Sequence, residues 1–316
     1  MSGTLQIMSN SQTTTTLVMV SPNHFGFNAQ TAGSNIFQHQ ISASDSDIQG
    51  KALLEFNNSV EILKASGINV LILDSRQDVI TPDSIFPNNW FSHHSDGKLI
   101  VYPMLAPNRR LERQTQNLEE LLKSNGARLT ETLNLAPDEN QGHILEGTGS
   151  LVLDRANKVA FAMESPRTTK EEFDKWCNLM NYEGMFFHAY DKNGFPIYHT
   201  NVTMSIGKEY AVICLDSITD SKEKELVKNK LISLGKEMIV LTKDQIYNYC
   251  GNTLQLISTN NTPKIVMSKT AATGFNADQL NALKKYGEII ELDIPTIETV
   301  GGGSARCMLA EVFLQD

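Results

Sequence analysis

The chain has 316 residues, of which 41% are hydrophobic and 20% charged, and its formal net charge is −9. A chain of this length can bury a large core, whereas an acidic chain without a basic stripe is poorly suited to bind nucleic acid. No apolar run approaches the roughly 20 residues that cross a membrane. The N-terminus also lacks the basic and apolar regions of a secretory signal. We therefore expect a cytoplasmic protein with neither nucleic-acid nor membrane partners.

The first elements are legible from the N-terminus onward. The Ser/Thr/Gln-rich start predicts a flexible tail over residues 1–15, followed by a single domain over residues 16–316. The apolar run TLVMV at 16–20 predicts a strand, and apolar residues at helical spacing predict a helix from about 49 to 66. Between them, residues 21–48 form a long polar stretch, which is typical of either a mobile lid or a static loop.

The rest of the chain repeats one pattern, in which an amphipathic segment ends at a glycine and a short strand follows. Successive glycines are separated by 59, 58, 51 and 52 residues, by subtraction of their positions: Gly67, Gly126, Gly184, Gly235 and Gly287. Glycine is the expected C-cap because it accepts a left-handed conformation. Before four of these helices, two apolar runs are broken by turn residues, which predicts β-hairpins. The predicted helix N-caps include Thr168 and Asn276.

The repeated unit is therefore strand, strand, helix, strand. The first unit lacks one strand, and the C-terminal run MLAEVFL at 308–314 could supply it by pairing beside the first strand. Such pairing would close a ring and remove exposed sheet edges. We predict an α/β fold, namely a five-bladed β/α propeller with pseudo-fivefold repeats. The alternative is an ordinary α/β sandwich in which the spacing arises by chance.

Polar or reactive residues occupy the position just before each hairpin. In a ring of units these positions converge on the axis, so a pocket is predicted where they meet. The residues are Asn88 and Asn89 in the second unit, Glu146 in the third, His199 and Asn201 in the fourth, Cys250 and Asn252 in the fifth, and Cys307 before the closing strand.

These residue types fit nucleophilic catalysis by a thiolate. Cys307 follows a glycine-rich segment, and a nearby His199 could hold a proton and later activate water. Glu146 could bind a substrate nitrogen or orient the histidine, and asparagine amides both donate and accept hydrogen bonds. The chain has no CxxC or HxxxH spacing typical of a metal site. It has no P-loop or GxGxxG nucleotide motif either, so no cofactor is expected.

Four further residues with reactive side chains are assigned structural positions. Cys177 lies in an amphipathic helix and Cys214 in an apolar strand run, so both are predicted to be core residues, since free cysteine is usually buried. His93 and His94 lie in a strand–turn region and are predicted to be at the surface.

Three motifs occur in order along the chain: LEGTGS around Glu146, YHTN around His199 and GGGSARCM around Cys307. Together with the repeat, they resemble the guanidino-modifying, or pentein, superfamily over residues 16–316. That group includes arginine deiminases, dimethylarginine hydrolases, agmatine deiminases and amidinotransferases. The resemblance implies a five-bladed propeller without a metal. It also implies that Cys307 forms a covalent intermediate, His199 acts as general acid and base, and Glu146 binds substrate nitrogen.

The resemblance also implies residues that bind the rest of a substrate. The segment APNRRLER resembles the family's loop that grips a substrate α-carboxylate, with Arg109 and Arg110 as candidates, and SPRTT with Arg167 resembles a second carboxylate site. Arginine suits this task because its guanidinium makes two parallel bonds to a carboxylate. We also count Asn88 and Asn252 as substrate-binding candidates. A free amino acid is the expected small-molecule partner; a decarboxylated amine and homo-oligomer formation stay open.

Two positions depart from the deiminase pattern. The position matching Asn89 is an aspartate in arginine deiminases, and the position matching Asn201 is commonly one too. A buried guanidinium without countercharges is costly, whereas asparagine can donate to a carbonyl oxygen. The site is therefore predicted to take a neutral ureido group, and the chain resembles citrulline-utilisation hydrolases, which would release ornithine, ammonia and carbon dioxide. Alternatives are an arginine or methylarginine deiminase or dimethylaminohydrolase, an amidinotransferase, and a non-catalytic binding propeller.

Overall fold

The computed structural model of the chain describes residues 11–314. The strands in this range are β1 (Thr16–Ser21), β2 (Asn69–Asp74), β3 (Phe91–His93), β4 (Lys98–Val101), β5 (Glu131–Asn134), β6 (Val152–Asp154), β7 (Val159–Met163), β8 (Glu183–Phe187), β9 (Met204–Ile206), β10 (Tyr210–Ile213), β11 (Glu237–Val240), β12 (Leu254–Ile257), β13 (Pro263–Ser268), β14 (Glu288–Leu292) and β15 (Ala310–Val312).

The α-helices are α1 (Asp45–Ala65), α2 (Pro107–Arg110), α3 (Thr115–Ser124), α4 (Gly147–Ser150), α5 (Lys170–Met180), α6 (Ser221–Ser233), α7 (Lys243–Tyr247), α8 (Lys269–Gly274) and α9 (Ala277–Lys284). Within the described range, no helix is both long and apolar enough to span a membrane.

The strands form five three-stranded sheets with one design. In the second unit, β3 pairs antiparallel with β4, and β4 pairs parallel with β5 after the crossover through α3. The same order recurs in β6–β7–β8, β9–β10–β11 and β12–β13–β14. The predicted strand, strand, helix, strand unit is confirmed.

The first sheet joins the two ends of the chain. The C-terminal strand β15 pairs antiparallel with β1, with Glu311 opposite Leu17, and β1 pairs parallel with β2. The prediction that the C-terminal run completes the first unit is therefore confirmed. Contacts between neighbouring sheets join β15 to β3, β6 to β9 and β9 to β12. The five sheets are consistent with a pseudo-fivefold repeat.

The long helix α1 shows why these segments fold as helices on the outside of the sheets. Its buried residues recur at helical spacing on one face and include Phe56, Val60 and Leu63. The side chain of Ser44 accepts a hydrogen bond from the Asp47 N–H and caps the helix, which therefore begins about four residues before its predicted start.

Helix boundaries were predicted with mixed success. Three of the five glycines follow a helix with positive φ, as predicted: Gly67, Gly126 and Gly235. Gly184 instead lies inside β8, because Asn181, with φ of 55°, takes the left-handed position after α5. Gly287 is not left-handed either; an added Cβ there would lie 3.0 Å from the Pro263 carbonyl oxygen, so the close approach of the two chain segments favours glycine. Asn276 caps α9 as predicted, whereas the cap position of α5 is Thr169 rather than Thr168.

Residues 11–15 pack onto the fold rather than forming part of a flexible tail. The Gln12 side chain donates to the carbonyl oxygens of Leu153 and Ile206, at 2.9 and 3.1 Å, and accepts from the Arg155 N–H at 2.7 Å. The Thr14 side chain is buried as well. The predicted tail is therefore wrong for these residues, and its remainder, residues 1–10, lies outside the described range.

The two histidines of β3 and its turn are buried, so their predicted surface position is wrong. His93 Nδ1 accepts from the Phe313 N–H at 3.1 Å. His94 Nε2 lies 2.8 Å from Ser92 Oγ, and its Nδ1 lies 3.3 Å from the Arg155 guanidinium. These polar partners stand inside the molecule where neighbouring sheets meet, and local sequence could not reveal them. The predicted burial of Cys177 and Cys214 is confirmed.

Candidate active site

Cys307 lies on a short 3₁₀ helix, Ala305–Met308, just before β15, and is 4% exposed. Its Sγ accepts hydrogen bonds from the side-chain amides of Asn252, at 3.3 Å, and Asn201, at 3.7 Å. The structure therefore joins three predicted site residues around one nucleophilic atom.

The glycine-rich segment before Cys307 is needed for close packing. A Cβ on Gly301 or Gly303 would lie 2.8 Å from the Phe86 ring. Gly302 has φ of 63°, and a Cβ there would lie 2.6 Å from Asn35 Nδ2. Other residues would push this loop away from its neighbours and displace the cysteine that follows it.

His199 and Glu146 form a buried pair. His199 Nε2 lies 2.9 Å from Glu146 Oε2, and the other carboxylate oxygen accepts from the Leu105 N–H at 3.1 Å. The imidazole sits against Gly149, where a Cβ would approach His199 Nδ1 to 2.8 Å. The carboxylate thus fixes the orientation of the ring, and the glycine of the LEGTGS motif makes room for it.

The charges around this pair set its protonation. Burial alone would raise the pKa of Glu146, but Arg167, the hydrogen bond from His199 and Arg109 together lower it to about 2. Burial lowers the pKa of His199 to about 4, even though Glu146 acts to raise it. The pair is therefore a carboxylate and a neutral imidazole near neutral pH, and the imidazole is free to accept a proton.

The two candidate arginines of α2 differ in position. Arg109 is buried and lines the pocket with Cys307; its guanidinium makes two bonds to Glu112, at 2.9 and 3.0 Å, and donates to Asn89 Oδ1 at 2.8 Å. Arg110 turns away, donates to the carbonyl oxygens of residues 104 and 105, and is 27% exposed. Of the two candidates that the sequence left open, Arg109 lines the pocket and Arg110 does not, since successive helical residues point in different directions.

Arg167 lines the same pocket from another side. Its guanidinium stacks over the Tyr198 ring, 4.8 Å from the centroid, and lies 3.6 Å from Glu146. It also donates to Ser34 Oγ, at 2.9 Å from Nη2, and to the Thr31 carbonyl oxygen at 3.3 Å. Arg167 thus joins the catalytic candidates to the polar segment 21–48.

Part of that segment packs against the pocket, and Asn35 lines it. The Asn35 amide donates to the Gly302 carbonyl oxygen at 3.2 Å, and the His39 N–H donates to the Thr299 carbonyl oxygen at 2.7 Å. Only about 10 Å³ of the pocket can hold the centre of a water molecule. The pocket is therefore too narrow in this structure to hold an amino acid without some displacement of its lining; the mobility of residues 21–48 stays a prediction.

Asp83 is a pocket residue that sequence reasoning missed. It is buried, and its Oδ2 accepts from Asn28 Nδ2 at 2.7 Å and from Thr31 Oγ at 3.2 Å. Its Oδ1 has no partner among the described residues. Asp83 stands outside the repeated position before each hairpin; its only sequence signal is its place immediately upstream of the FPNN motif.

The remaining asparagines occupy three kinds of position. Asn89 lines the pocket, and its Nδ2 is buried without a partner within residues 11–314. Asn201 and Asn252 contact Cys307 Sγ from outside the pocket lining. Asn88 is buried, neither of its side-chain atoms has a partner in the described part of the chain, and it does not line the pocket.

Cys250 Sγ donates to the Ala271 carbonyl oxygen, and burial raises its pKa to about 12, so it is a structural thiol.

The arrangement can support attack by sulfur, proton transfer by imidazole and binding of charged ligand groups. Across residues 11–314, no three His, Cys, Asp or Glu side chains are grouped so that they could hold a metal ion.

Comparison with known proteins places this geometry in a family. A family model described as eukaryotic N,N-dimethylarginine dimethylhydrolase matches residues 21–314. No curated protein sequence gives a significant match. Because the model covers most of the chain, the protein belongs to this family of the pentein guanidino-modifying superfamily, and it is a hydrolase that acts on non-peptide C–N bonds.

Solved structures share the fold at low sequence identity. Apo ArgZ, an arginine dihydrolase from the ornithine–ammonia cycle in cyanobacteria, superposes with a TM-score of 0.73 at 15% identity over 95% of this chain. This chain spans 41% of full-length ArgZ, but 98% of its N-terminal domain, which was solved with substrate bound (TM-score 0.72, 14% identity). A DDAH from Pseudomonas aeruginosa in complex with citrulline superposes with a TM-score of 0.64 at 13% identity. The match covers 94% of this chain and 99% of the DDAH chain.

Proposed function

We propose that this protein hydrolyses the ureido group of free citrulline to ornithine, ammonia and carbon dioxide. The observation that carries the proposal is the chemistry around Cys307 Sγ, where the donors from Asn201 and Asn252 are neutral amides. The pocket residue Asn89 adds an unpartnered amide N–H that suits a carbonyl oxygen. A ureido group is neutral and ends in such an oxygen, so it needs no countercharge there.

In this mechanism, Cys307 Sγ forms a bond to the ureido carbon and its proton passes to His199. The carbon–nitrogen bond then breaks, and the departing nitrogen takes that proton. Water next attacks the carbon attached to sulfur, the carbon–sulfur bond breaks, and the carbamic acid released decomposes to carbon dioxide and ammonia or amine. Glu146 keeps the imidazole oriented through both proton transfers because it already holds Nε2 at 2.9 Å.

The pocket offers charged side chains opposite in sign to the α-carboxylate and α-ammonium groups of an amino-acid substrate. Arg167 and Arg109 line the pocket and are suited to an α-carboxylate, although the Arg109 guanidinium is already engaged by Glu112. The unpartnered Oδ1 of Asp83 is suited to an α-ammonium group. A free amino acid fits this charge pattern better than a decarboxylated amine.

We also propose that the five sheets close into a five-bladed propeller around the site. The pairing of β15 with β1 supports closure at the chain ends, and the contacts β15–β3, β6–β9 and β9–β12 support a ring of inner strands.

An arginine or methylarginine hydrolase is the second candidate. Glu146 and Asp83 both bring carboxylates to the pocket region, and these could pair with a guanidinium. AgrE has been solved with L-arginine at 16% identity and a TM-score of 0.71, and the family description names dimethylarginine.

Replacing Asn89 with aspartate separates the two candidates. In protein whose turnover is blocked by Cys307→Ala, we expect citrulline to bind more tightly than arginine. Asn89→Asp should reverse this preference by about tenfold or more, roughly 1.4 kcal/mol, because a carboxylate repels a carbonyl oxygen and attracts a guanidinium. Titration calorimetry with both ligands measures the ratio.

Asn260→Asp makes the same change in an exposed loop and should leave the ratio of citrulline to arginine affinity unchanged. A ratio that Asn89→Asp does not move would contradict the proposed role of Asn89. Asn201→Asp is less informative, because its new charge would stand beside Cys307 Sγ and could change the nucleophile as well as the ligand contacts.

A further inference from the structure

A second internal space lies beside the nucleophile. It offers about 30 Å³ in which the centre of a water molecule can lie, which is enough for one or two waters. Its lining is mixed: apolar side chains such as Leu153 and Ile206 stand beside the polar side chains of Gln12, Arg155 and Glu311. No lining residue is shared with the pocket that holds His199 and Cys307, so the two spaces are separate.

Asn201 forms part of the wall between these spaces. It lines the second space, and its Nδ2 lies 3.7 Å from Cys307 Sγ and 3.3 Å from the Thr148 carbonyl oxygen. Its Oδ1 is buried and has no partner among the described residues. Buried acceptors in native proteins are nearly always satisfied by protein or by ordered water, and a water in this space could donate to it.

Charged and hydroxyl side chains in the lining of this space offer hydrogen-bond partners to water. Arg306, the residue before Cys307, reaches into it and donates to Glu311 at 2.8 Å, and Arg155 approaches the same carboxylate at 3.3 Å. On the strand side, Ser205 Oγ and Thr253 Oγ lie 2.7 Å apart. Apolar cavities stay empty, whereas cavities with several polar partners hold water.

We propose that this space is the reservoir that supplies the hydrolytic water, and that Asn201 hands the water to the carbon bound to Cys307. The inference rests on the proposed hydrolysis through Cys307. The active pocket has room for the centre of a water over only about 10 Å³, against about 30 Å³ in the second space, so the second space is the better place to hold a water near Cys307. Uncovering the pocket to admit water would also expose the intermediate.

The hydrolytic step needs no further reactant. The oxygen of a reservoir water forms a bond to the carbon, and the carbon–Sγ bond breaks with its electron pair moving to sulfur. One water proton passes to His199 and then to the thiolate. Bulk water refills the reservoir between turnovers.

Larger side chains at Ser205, a residue of β9 that lines the second space, would fill this space and so test the inference. Ser205→Val and Ser205→Leu add increasing volume to a residue outside the active pocket, whereas Ser205→Ala removes the hydroxyl and adds none. With citrulline as substrate, acid-quenched samples are analysed by intact mass for the adduct on Cys307, alongside the rate of ornithine release. We expect Ser205→Ala to behave as the parent, and Ser205→Leu to lower kcat about tenfold while the adduct fraction rises about fivefold or more. The rate of adduct formation should stay unchanged, because that step uses no water.

Ser59→Leu is the matched control, since it overpacks a buried serine on α1, and neither space is lined by that residue. Thermal unfolding identifies variants that fail to fold, and Ser205→Val then carries the test with less added volume. Normal turnover with no adduct increase in folded Ser205→Val or Ser205→Leu overturns the reservoir but leaves the proposed function standing. If the parent protein forms neither adduct nor ornithine with citrulline or arginine, the proposed function and the reservoir both fail.

Discussion

Cys307→Ala should lower turnover by roughly four orders of magnitude or more, the scale seen when a catalytic nucleophile is removed. Alanine cannot form the bond to the substrate carbon, and no other step in the mechanism substitutes for it. The fold should survive, because the thiol that alanine replaces accepts two weak hydrogen bonds, from the amides of Asn201 and Asn252. Ornithine release and thermal unfolding of the same preparations measure the two effects.

Cys250→Ala is the matched control for this variant. Cys250 is also buried and precedes a hairpin in the repeat, but its thiol is bonded to the Ala271 carbonyl oxygen and its pKa is raised to about 12. It should keep its activity while losing some stability. Retained turnover in Cys307→Ala, or an equal loss in both variants, would remove Cys307 as the nucleophile. Retained folding and ligand binding with no turnover in the parent would instead favour a non-catalytic binding protein.

His199→Ala is expected to reduce kcat by about 10²- to 10⁴-fold, the range typical of a lost general acid–base group. A structural role would predict a loss of stability only, so the distinguishing measurement is rescue: added imidazole should restore part of the activity if His199 transfers protons. His188→Ala provides a control, because His188 is half-exposed and bonded to Glu164 and Glu223 on the surface. Rescue that is absent in His199→Ala, together with a simple fall in stability, would contradict the assignment.

The same histidine predicts a pH dependence. Its pKa is about 4 in the folded protein against an ordinary 6.5, so as the pH falls the unfolded chain binds this proton first. The stability associated with the neutral imidazole is therefore complete above pH 6.5 and is lost as the pH falls toward 4. His199→Ala should flatten this part of the stability curve, which urea unfolding between pH 7.5 and 4 measures. An unchanged slope would show that His199 binds its proton equally in the folded and unfolded chains, which would contradict the lowered pKa.

Much of the fold could be predicted because each repeated unit is marked by local sequence signals. Glycines with left-handed conformations end three of the helices, and turn residues mark the hairpins. The prediction failed where a long-range contact decided the outcome. Gly287 is favoured by the close approach of the Pro263 carbonyl group, and Gln12 is bonded to residues far along the chain. Buried His93 and His94 likewise depend on partners that only the assembled sheets bring near.

The sequence predicted which candidate residues lie near one another to the extent that their positions follow the repeat. Glu146, His199 and Cys307 all precede a hairpin or closing strand, and the structure joins the first two by a 2.9 Å contact in the pocket that Cys307 lines. Residues delivered by loops carry no such signal, which is why Asp83 was missed. The choice between Arg109 and Arg110 depends on the direction in which a short helix presents two adjacent side chains, and sequence alone does not give it.

The central claim is that the pocket binds a neutral ureido group. Analysis of the reaction products from citrulline and from arginine tests this claim most directly. Purified protein is incubated separately with citrulline and with arginine, and amino acids and ammonia are then quantified. We predict ornithine and ammonia from citrulline, at a rate well above any reaction of arginine, with none from Cys307→Ala. Accumulation of citrulline from arginine, with citrulline itself left untouched, would contradict the claim and would mean that Glu146 and Asp83 suffice to bind a cationic guanidinium.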